Sequence, residues 1–127
     1  MNDCTKHEIA ISVDLKKHRI RIYKTTLMLL GFPKYVQLLI NPKSMLIAVV
    51  GTDKKSRDSH RVSLSVLQSY NSYELYSTQL IDKLCELVRG LDTNYTYKLS
   101  GDYFKNANIA VFSLKTMQKI NSWEITR

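Results

Sequence analysis

Short runs in which apolar and polar residues alternate recur along this chain, and they constrain its fold more than any other feature. Residues 8–13 alternate, and residues 19–22 alternate again after a basic turn. Residues 35–40 and 45–50 form a second pair of apolar runs, separated by the turn-forming sequence Asn-Pro-Lys-Ser. Alternation with a period of two is the signature of a half-buried strand. The first half of the chain therefore predicts two β-hairpins.

Two helical segments lie between the predicted strands. Residues 25–30 predict a short helix, with Thr25 or Thr26 as the N-terminal cap and Gly31 at the C-terminal end. Residues 76–89 predict a longer helix that a glycine also ends, because its apolar residues recur at helical spacing. These apolar residues are Leu80, Ile81, Leu84, Leu87 and Val88. We expect this stripe of the longer helix to face the core.

The second half of the chain repeats the order of elements found in the first. Residues 60–64 predict a strand, and a polar stretch follows at residues 68–72. Residues 95–99 and 108–112 predict a last pair of strands. The tail, residues 115–127, is weakly amphipathic and predicts a short C-terminal helix.

Short sequence matches support a repeat. The pattern Tyr-x-Thr-x-Leu occurs at residues 23–27 and again at residues 76–80, in both cases beside a predicted helix. The hairpins end alike, in Ile-Ala-Val-Val at residues 47–50 and Ile-Ala-Val-Phe at residues 109–112. Matches at corresponding places in two halves of a chain indicate two related units.

The expected fold is therefore α+β, with two βαββ-like units that share one core, a mainly antiparallel sheet and two principal helices. The units cover about residues 18–50 and 60–112, and their first strands, residues 18–22 and 60–64, both begin with His-Arg. A chain of 127 residues is the size of one ordinary domain, so we expect a single domain over residues 1–127.

The chain is strongly basic. Nineteen Lys and Arg residues against eleven Asp and Glu residues give a formal net charge of +8, and the hydrophobic content of 44% is that of a folded chain. Such a charge favours anionic partners. No apolar run approaches the roughly 20 residues of a membrane span, and the N-terminal residues lack an apolar signal core. We expect a cytoplasmic protein with no membrane partner, where Cys4 and Cys85 stay reduced.

Motifs of common catalytic sites are absent from the sequence. The four glycines lie far apart, so there is no glycine-rich phosphate loop. There is no Gly-x-Ser-x-Gly or His-Glu-x-x-His motif, and the carboxylates do not cluster. Cys4 and His7 have the spacing of half a metal site, but no second close pair supplies the remaining ligands. We therefore expect no enzymatic activity, no cofactor and no metal.

Positive charge concentrates in two places. The first basic cluster consists of Lys16, Lys17, Arg19, Arg21 and Lys24, and the second basic cluster consists of Lys54, Lys55, Arg57 and Arg61. Both lie at or before the first strand of a predicted unit, so we expect them at equivalent positions on one extended cationic face. Such a face is the electrostatic footprint of a protein that contacts the phosphate backbone of nucleic acid. The alternative is solvated surface charge that serves solubility alone.

Tyrosines crowd into the second half of the chain, at Tyr70, Tyr73, Tyr76, Tyr95, Tyr97 and Tyr103. We expect Tyr95 and Tyr97 to share one face of a strand beside Lys98, an arrangement that can stack bases. Tyrosines also fill cores or dock protein partners. The candidate anchors for a protein partner are Tyr73, Tyr76, Tyr103 and Trp123.

The residues Arg-Ile-Arg-Ile-Tyr-Lys-Thr-Thr-Leu-x-x-Leu-Gly at positions 19–31, followed by two strands, resemble the swapped-hairpin DNA-binding family of AbrB and MraZ. The resemblance covers residues 18–50 well and residues 60–112 loosely, and MraZ carries the unit twice. This chain has His18 and Tyr23 where the family usually has glycine and proline. The resemblance implies DNA contact by the first basic cluster and assembly into a homodimer or a higher oligomer.

The function that these features predict is nucleic-acid binding, by a small DNA-binding regulator that uses a basic face to contact DNA or RNA. The alternative is an interaction protein of a phage or mobile element, which inhibits a host nucleic-acid enzyme such as a CRISPR nuclease by binding it directly. Inhibitors that mimic DNA are acidic, and the net charge of +8 argues against that type. The charge is compatible with a basic inhibitor that binds a guide RNA or an acidic protein surface, so this alternative is kept.

Overall fold

The alternating segments form the strands of one sheet in the computed structural model, which describes residues 9–63, 65–66 and 70–120. The strands are β1 (Ile9–Asp14), β2 (Arg19–Tyr23), β3 (Tyr35–Asn41), β4 (Leu46–Thr52), β5 (Ser59–Arg61), β6 (Ser72–Tyr76), β7 (Thr96–Phe104), β8 (Ile109–Ser113) and β9 (Gln118–Lys119). Helix α1 (Lys24–Leu29) follows β2, and helix α2 (Thr78–Leu87) follows β6. A short 3-10 helix (Leu114–Thr116) follows β8.

Antiparallel pairing joins the strands in the order β5-β3-β4-β8-β7-β1-β2-β6, and β9 pairs with the start of β7. The Tyr73 hydroxyl of β6 donates a hydrogen bond to the Arg61 carbonyl of β5, which links the first and last strands of this order. The sheet is accordingly barrel-like. The predicted α+β class, with a mainly antiparallel sheet and two principal helices, is confirmed.

One core lies inside the curved sheet, because alternate strand residues point inward. The buried strand residues include Ile11, Val13, Ile20, Ile22, Val36, Ile47, Val49, Leu75, Leu99 and Phe112. Helix α1 contributes Leu27, and α2 contributes Leu80, Ile81 and Leu84. The predicted core stripe of the longer helix is therefore confirmed.

No helix of the described residues is long and apolar enough to cross a membrane.

The cap predicted for the first helix is wrong. Lys24 is the first helical residue, and the N-cap is Tyr23, whose side chain makes no capping hydrogen bond. Tyr23 also ends β2, so the strand runs directly into the helix and leaves no loop position for a threonine cap. Thr26 lies inside the helix and is buried. Gly31 follows the helix with a φ of +85°, as a glycine after a helix end commonly does.

The strand predicted at residues 60–64 is shorter and has different neighbours from β2. β5 pairs with β3, whereas β2 lies between β1 and β6. The strand that precedes the second helix is β6, in a region predicted to be polar loop and helix start. Residues 18–22 and 60–64 therefore do not occupy equivalent strands. The alternation of β6 is weak, because Leu75 is its one fully buried residue.

Three further boundaries differ from the prediction. α2 begins at Thr78, because Ser77 caps it by accepting a hydrogen bond from the backbone N–H of Leu80. β7 is nine residues long and extends to Phe104. The prediction of a helix from residue 115 is wrong over the described residues, because the 3-10 helix ends at Thr116 and β9 follows.

The matched hairpin ends are out of phase by one residue. Ile47 and Val49 are buried in β4, whereas Ala110 and Phe112 are buried in β8. If residues 47–50 are aligned with residues 109–112, each buried residue of one strand is matched with an outward-facing residue of the other, because side chains alternate along a strand.

Candidate functional site

The pairing of β2 with β6 brings the first basic cluster beside tyrosine side chains. Arg19 and Arg21 lie on the outer face of β2, since the isoleucines that alternate with them are buried. Arg19 is opposite Tyr76 of β6, and Arg21 is opposite Glu74. The arginines of β2 and the residues of β6 thus share one surface, although they are far apart in the sequence.

Two carboxylates hold both arginines of this surface. Arg21 donates to one oxygen of Glu74 from Nε at 3.1 Å and from Nη2 at 2.5 Å. Arg19 donates to the other Glu74 oxygen at 3.4 Å and to Asp14 at 3.0 Å. Charge-assisted, planar hydrogen bonds of this kind fix the orientation of a guanidinium group. The two arginines and two carboxylates also cancel in charge, so this network adds little net attraction for an anion.

The network sets the protonation of Glu74. Hydrogen bonds from Arg21 lower the pKa of Glu74 below its ordinary value, with smaller contributions from the charges of Arg19 and Lys17. The same hydrogen bond raises the pKa of Arg21. Both groups are therefore charged at neutral pH.

Replacing Glu74 with glutamine is expected to remove part of the acid sensitivity of the fold. Because the folded state lowers the pKa of Glu74, its carboxylate stabilises the fold at neutral pH, and this contribution is lost as the pH falls below about 5 and through the lowered pKa. In urea titrations at a series of pH values, the free energy of unfolding of the wild type should fall more steeply over this interval than that of Glu74→Gln. Parallel curves would contradict the assigned role.

Lysines supply the uncompensated charge of the first basic cluster. Lys16 and Lys17 are exposed in the turn between β1 and β2, and Lys24 is exposed at the start of α1. Within the described residues none of the three forms an ion pair. The backbone N–H of Lys24 donates to the carbonyl of Asn71 at 2.8 Å, so this lysine adjoins the segment before β6.

The second basic cluster reaches the same segment from its other side. The Arg61 carbonyl accepts the hydrogen bond of Tyr73, and Arg57 lines a groove with Ser77 at the start of α2. The backbone N–H of Ser77 in turn donates to the His18 carbonyl, in the β1–β2 turn, at 3.1 Å. Residues 72–79, which form β6 and the start of α2, thus lie between the first cluster and two members of the second, Arg57 and Arg61. Lys54 and Lys55 are exposed in the β4–β5 loop.

Tyrosine side chains occupy two kinds of environment. Tyr70 is 67% exposed and Tyr76 is 63% exposed, and both line one groove. Tyr73 is half-buried and packs against the core. Tyr103 is half-buried, and its hydroxyl donates to Asn108 at 2.8 Å. Trp123 lies outside the described residues.

The shared strand face predicted for Tyr95 and Tyr97 is wrong. Tyr95 precedes β7, and the ammonium of Lys119 lies 4.3 Å from the centre of its ring. Tyr97 is buried, and its hydroxyl accepts a hydrogen bond from the backbone N–H of Asp92 at 2.8 Å. Lys98 alternates with Tyr97 and faces outward, away from the buried ring.

Sequence reasoning missed Glu74, Asp14 and Tyr70 as members of this surface. Their roles depend on pairing across β1, β2 and β6, which spacing along the chain does not disclose. The one signal for this strand was a weak alternation, in which only Tyr73 and Leu75 alternate with polar neighbours.

No metal-binding group of side chains is found at this surface among the described residues. The described part of the chain holds no group of three or more His, Cys, Asp or Glu side chains placed to bind a metal ion. Cys4 and His7 lie outside that part. Burial raises the pKa of the Cys85 thiol, which keeps it protonated at neutral pH.

Comparisons with protein-family models, with curated proteins and with solved structures found no match.

Proposed function

We propose that this protein binds nucleic acid through the surface around β2, β6 and the start of α2. The observation that carries the proposal is the position of residues 72–79 between the first basic cluster and Arg57 and Arg61 of the second, with the exposed Tyr76 in the same segment. A net charge of +8 attracts a polyanion over distance, and a local concentration of cations orients it.

The lysines are the proposed phosphate contacts. Lys16, Lys17 and Lys24 are exposed and unpaired within the described residues, whereas the guanidinium groups of Arg19 and Arg21 already donate to carboxylates. A phosphate that approaches an unpaired ammonium displaces only water and counterions. The arginines instead hold β1, β2 and β6 in a fixed relation beneath the bound chain.

Replacing Lys16, Lys17 and Lys24 with alanine is expected to weaken binding to all sequences alike and to flatten its salt dependence. Each lost phosphate contact lowers the magnitude of the slope of log affinity against log salt by about 0.9 for a duplex and by about 0.7 for a single strand. With three contacts, raising salt from about 50 to about 200 mM lowers wild-type affinity beyond the loss seen in the triple variant, about 40-fold for a duplex and about 20-fold for a single strand. Fluorescence anisotropy with labelled oligonucleotides measures both quantities.

Lys43 and Lys105 supply the matched control. Both are exposed, and they lie in the β3–β4 and β7–β8 turns, on strands that β1 separates from β2 in the sheet. The double variant Lys43→Ala, Lys105→Ala should retain a larger salt slope than the triple variant. If each lysine removed here reduces the salt slope as much as each lysine of the first cluster does, the positive charge acts without a defined binding site.

Glu74→Gln tests the same surface in the opposite direction. Glu74 is the carboxylate among the residues that line the groove of Tyr70 and Tyr76. Removing its negative charge should tighten binding of any nucleic acid at this surface, since repulsion of phosphate falls. Weaker binding by this variant would place the bound chain elsewhere.

The proposal extends to the internal repeat. The orders β2-α1-β3-β4 and β6-α2-β7-β8 are alike, and the two units pair with each other antiparallel through β2 with β6 and β4 with β8. The two Tyr-x-Thr-x-Leu sequences begin at the last residues of β2 and β6. This arrangement supports two βαββ units that share one core, with the second unit starting at β6, and a relation to the swapped-hairpin family remains part of the proposal.

Exposed apolar side chains on the outer faces of β3 and β7 support the second candidate, a protein that inhibits a nucleic-acid enzyme by direct binding. Leu39 of β3 is 48% exposed and Phe104 of β7 is 50% exposed. Large aromatic side chains such as that of Phe104 are enriched at protein interfaces. Nuclease-treated protein that retains a protein partner and binds no oligonucleotide would favour this candidate.

A further inference from the structure

Two tyrosines of the proposed surface, Tyr70 and Tyr76, are the most exposed large hydrophobic side chains of the described residues. The hydroxyls of Tyr23, Tyr73 and Tyr97 form hydrogen bonds with other residues of the chain. Tyr70 and Tyr76 are about two-thirds exposed, and within the described residues neither hydroxyl has a hydrogen-bond partner. Large aromatic side chains left in water at one place mark a binding surface more often than a structural one.

Both tyrosines line a single groove of about 660 Å³, which includes Arg21 and Glu74. The volume is within the range of sites that hold small organic groups. Val66 adds an apolar wall. The guanidinium of Arg21 is fixed by its hydrogen bonds to Glu74, so the groove combines two aromatic rings with an oriented cation.

Positive charge lies at both ends of this groove. The His18 carbonyl accepts a hydrogen bond from the backbone N–H of Ser77 at 3.1 Å, so Lys17, in the same turn, lies at the end where Arg19 faces Tyr76. Lys24 adjoins Asn71, which lines the opposite end. The two lysines flank β2, whose five residues span about 16 Å. A strand of nucleic acid that lies along the groove therefore meets an ammonium at each end.

The helices are poorly suited to reading a duplex groove. A helix that enters the major groove presents several cationic or polar side chains to base edges and phosphates. The exposed side of α2 carries Asp82 and Glu86, and the one lysine of this helix, Lys83, is paired with Glu86 at 3.6 Å, so this side offers no unpaired cation to phosphate. Helix α1 is only six residues long and buries Thr26 and Leu27. The sheet surface, with its aromatic rings, is the better platform.

We propose that the groove binds single-stranded nucleic acid, with bases stacked on Tyr70 and Tyr76 and the flanking phosphates contacted by Lys17 and Lys24. The inference rests on the proposed function and specifies its ligand. Stacking on aromatic rings together with a basic track is the mode by which proteins bind single strands without reading sequence. A paired base does not expose its face to such rings, so a duplex loses the stacking contribution.

Anisotropy titrations with a labelled single strand of about 16 nucleotides, and with the same strand annealed to its complement, test the inference. Tyr70→Ala and Tyr76→Ala should each weaken single-strand binding about 5- to 150-fold, since one stacked base contributes about 1–3 kcal/mol. The salt slope and the duplex affinity should stay unchanged. Tyr76→Phe keeps the ring and should retain wild-type affinity. Phe104→Ala removes a ring that is 50% exposed elsewhere on the sheet and should have no effect.

Each result bears on one proposal or both. If the tyrosine variants bind the single strand as tightly as the wild type while the lysine variants weaken binding, nucleic-acid binding stands and the stacking inference fails. Tighter binding of the duplex than of its single strand would also leave nucleic-acid binding standing and contradict the stacking inference. If the wild type binds neither probe in low salt, both proposals fail. Thermal unfolding of every variant verifies that a loss of affinity does not reflect a loss of fold.

Discussion

Replacing Leu84 with alanine is expected to lower the free energy of unfolding by about 2–5 kcal/mol, the range for a fully buried leucine. Leu84 is 0% exposed and lies on the face of α2 that packs into the sheet, beside Leu80 and Ile81. Removing its branched side chain loses the transfer free energy of the buried carbons and leaves a cavity that the surrounding strands fill only in part. This is a large part of the stability of a typical domain, which totals about 5–15 kcal/mol.

Urea unfolding followed by circular dichroism measures the effect as a lower midpoint with a similar slope. Gln79→Ala is the matched control, since Gln79 is exposed on the same helix and alanine is a good helix former. Lys54→Ala, in an exposed loop, should likewise change the midpoint little. Equal midpoints for Leu84→Ala and both controls would show that α2 does not pack as described.

Gly101→Ala is expected to cost about 3 kcal/mol or more, although it adds a single methyl group. Gly101 lies where β7 pairs with Ile9 of β1 on one side and with Phe112 of β8 on the other. A Cβ atom at this position would lie 2.1 Å from the carbonyl oxygen of Val111 and 2.9 Å from the Cα of Phe112. These neighbours are backbone atoms of a paired strand, so relief of the clash requires the two strands to separate.

Ser100→Ala is the control for this substitution, because the adjacent residue is exposed and alanine only removes its hydroxyl. The urea midpoint of Gly101→Ala should fall far below that of Ser100→Ala. A chain that fails to fold at all is the extreme of the same outcome. A midpoint equal to that of the wild type would mean that β7 and β8 are not paired at Gly101.

The distribution of charge on the proposed surface changes which residues are expected to matter for binding. By sequence, Arg19, Arg21 and Lys24 are equivalent members of one basic cluster. In the structure, the arginines donate to Asp14 and Glu74, and only the lysine is unpaired within the described residues. Arginine variants should therefore affect stability as well as binding, whereas lysine variants should affect binding alone. Charge counted along a sequence does not separate these cases, because ion pairing depends on which strands are neighbours.

Local patterns predicted many elements of the fold. Alternation identified β1 and β2, because a strand with one buried face needs an apolar residue at every second position. Apolar runs on both sides of a turn sequence identified β3 and β4. The apolar stripe of α2 identified its buried face for the corresponding reason at helical spacing. β6 was missed, since its single fully buried residue, Leu75, gives almost no alternation.

The sequence by itself determined the α+β class, the first two hairpins, the two principal helices and the excess of positive charge, all of which depend on short-range periodicity or composition. Tertiary structure alone decided which strands are neighbours. It placed β6 beside β2, paired Arg21 with Glu74, and left Tyr70 and Tyr76 exposed while it buried Tyr97. It also brought the first basic cluster, and Arg57 and Arg61 of the second, to residues 72–79. The partners in β2 and β6 are about 50 positions apart in the sequence, so no local pattern encodes their pairing.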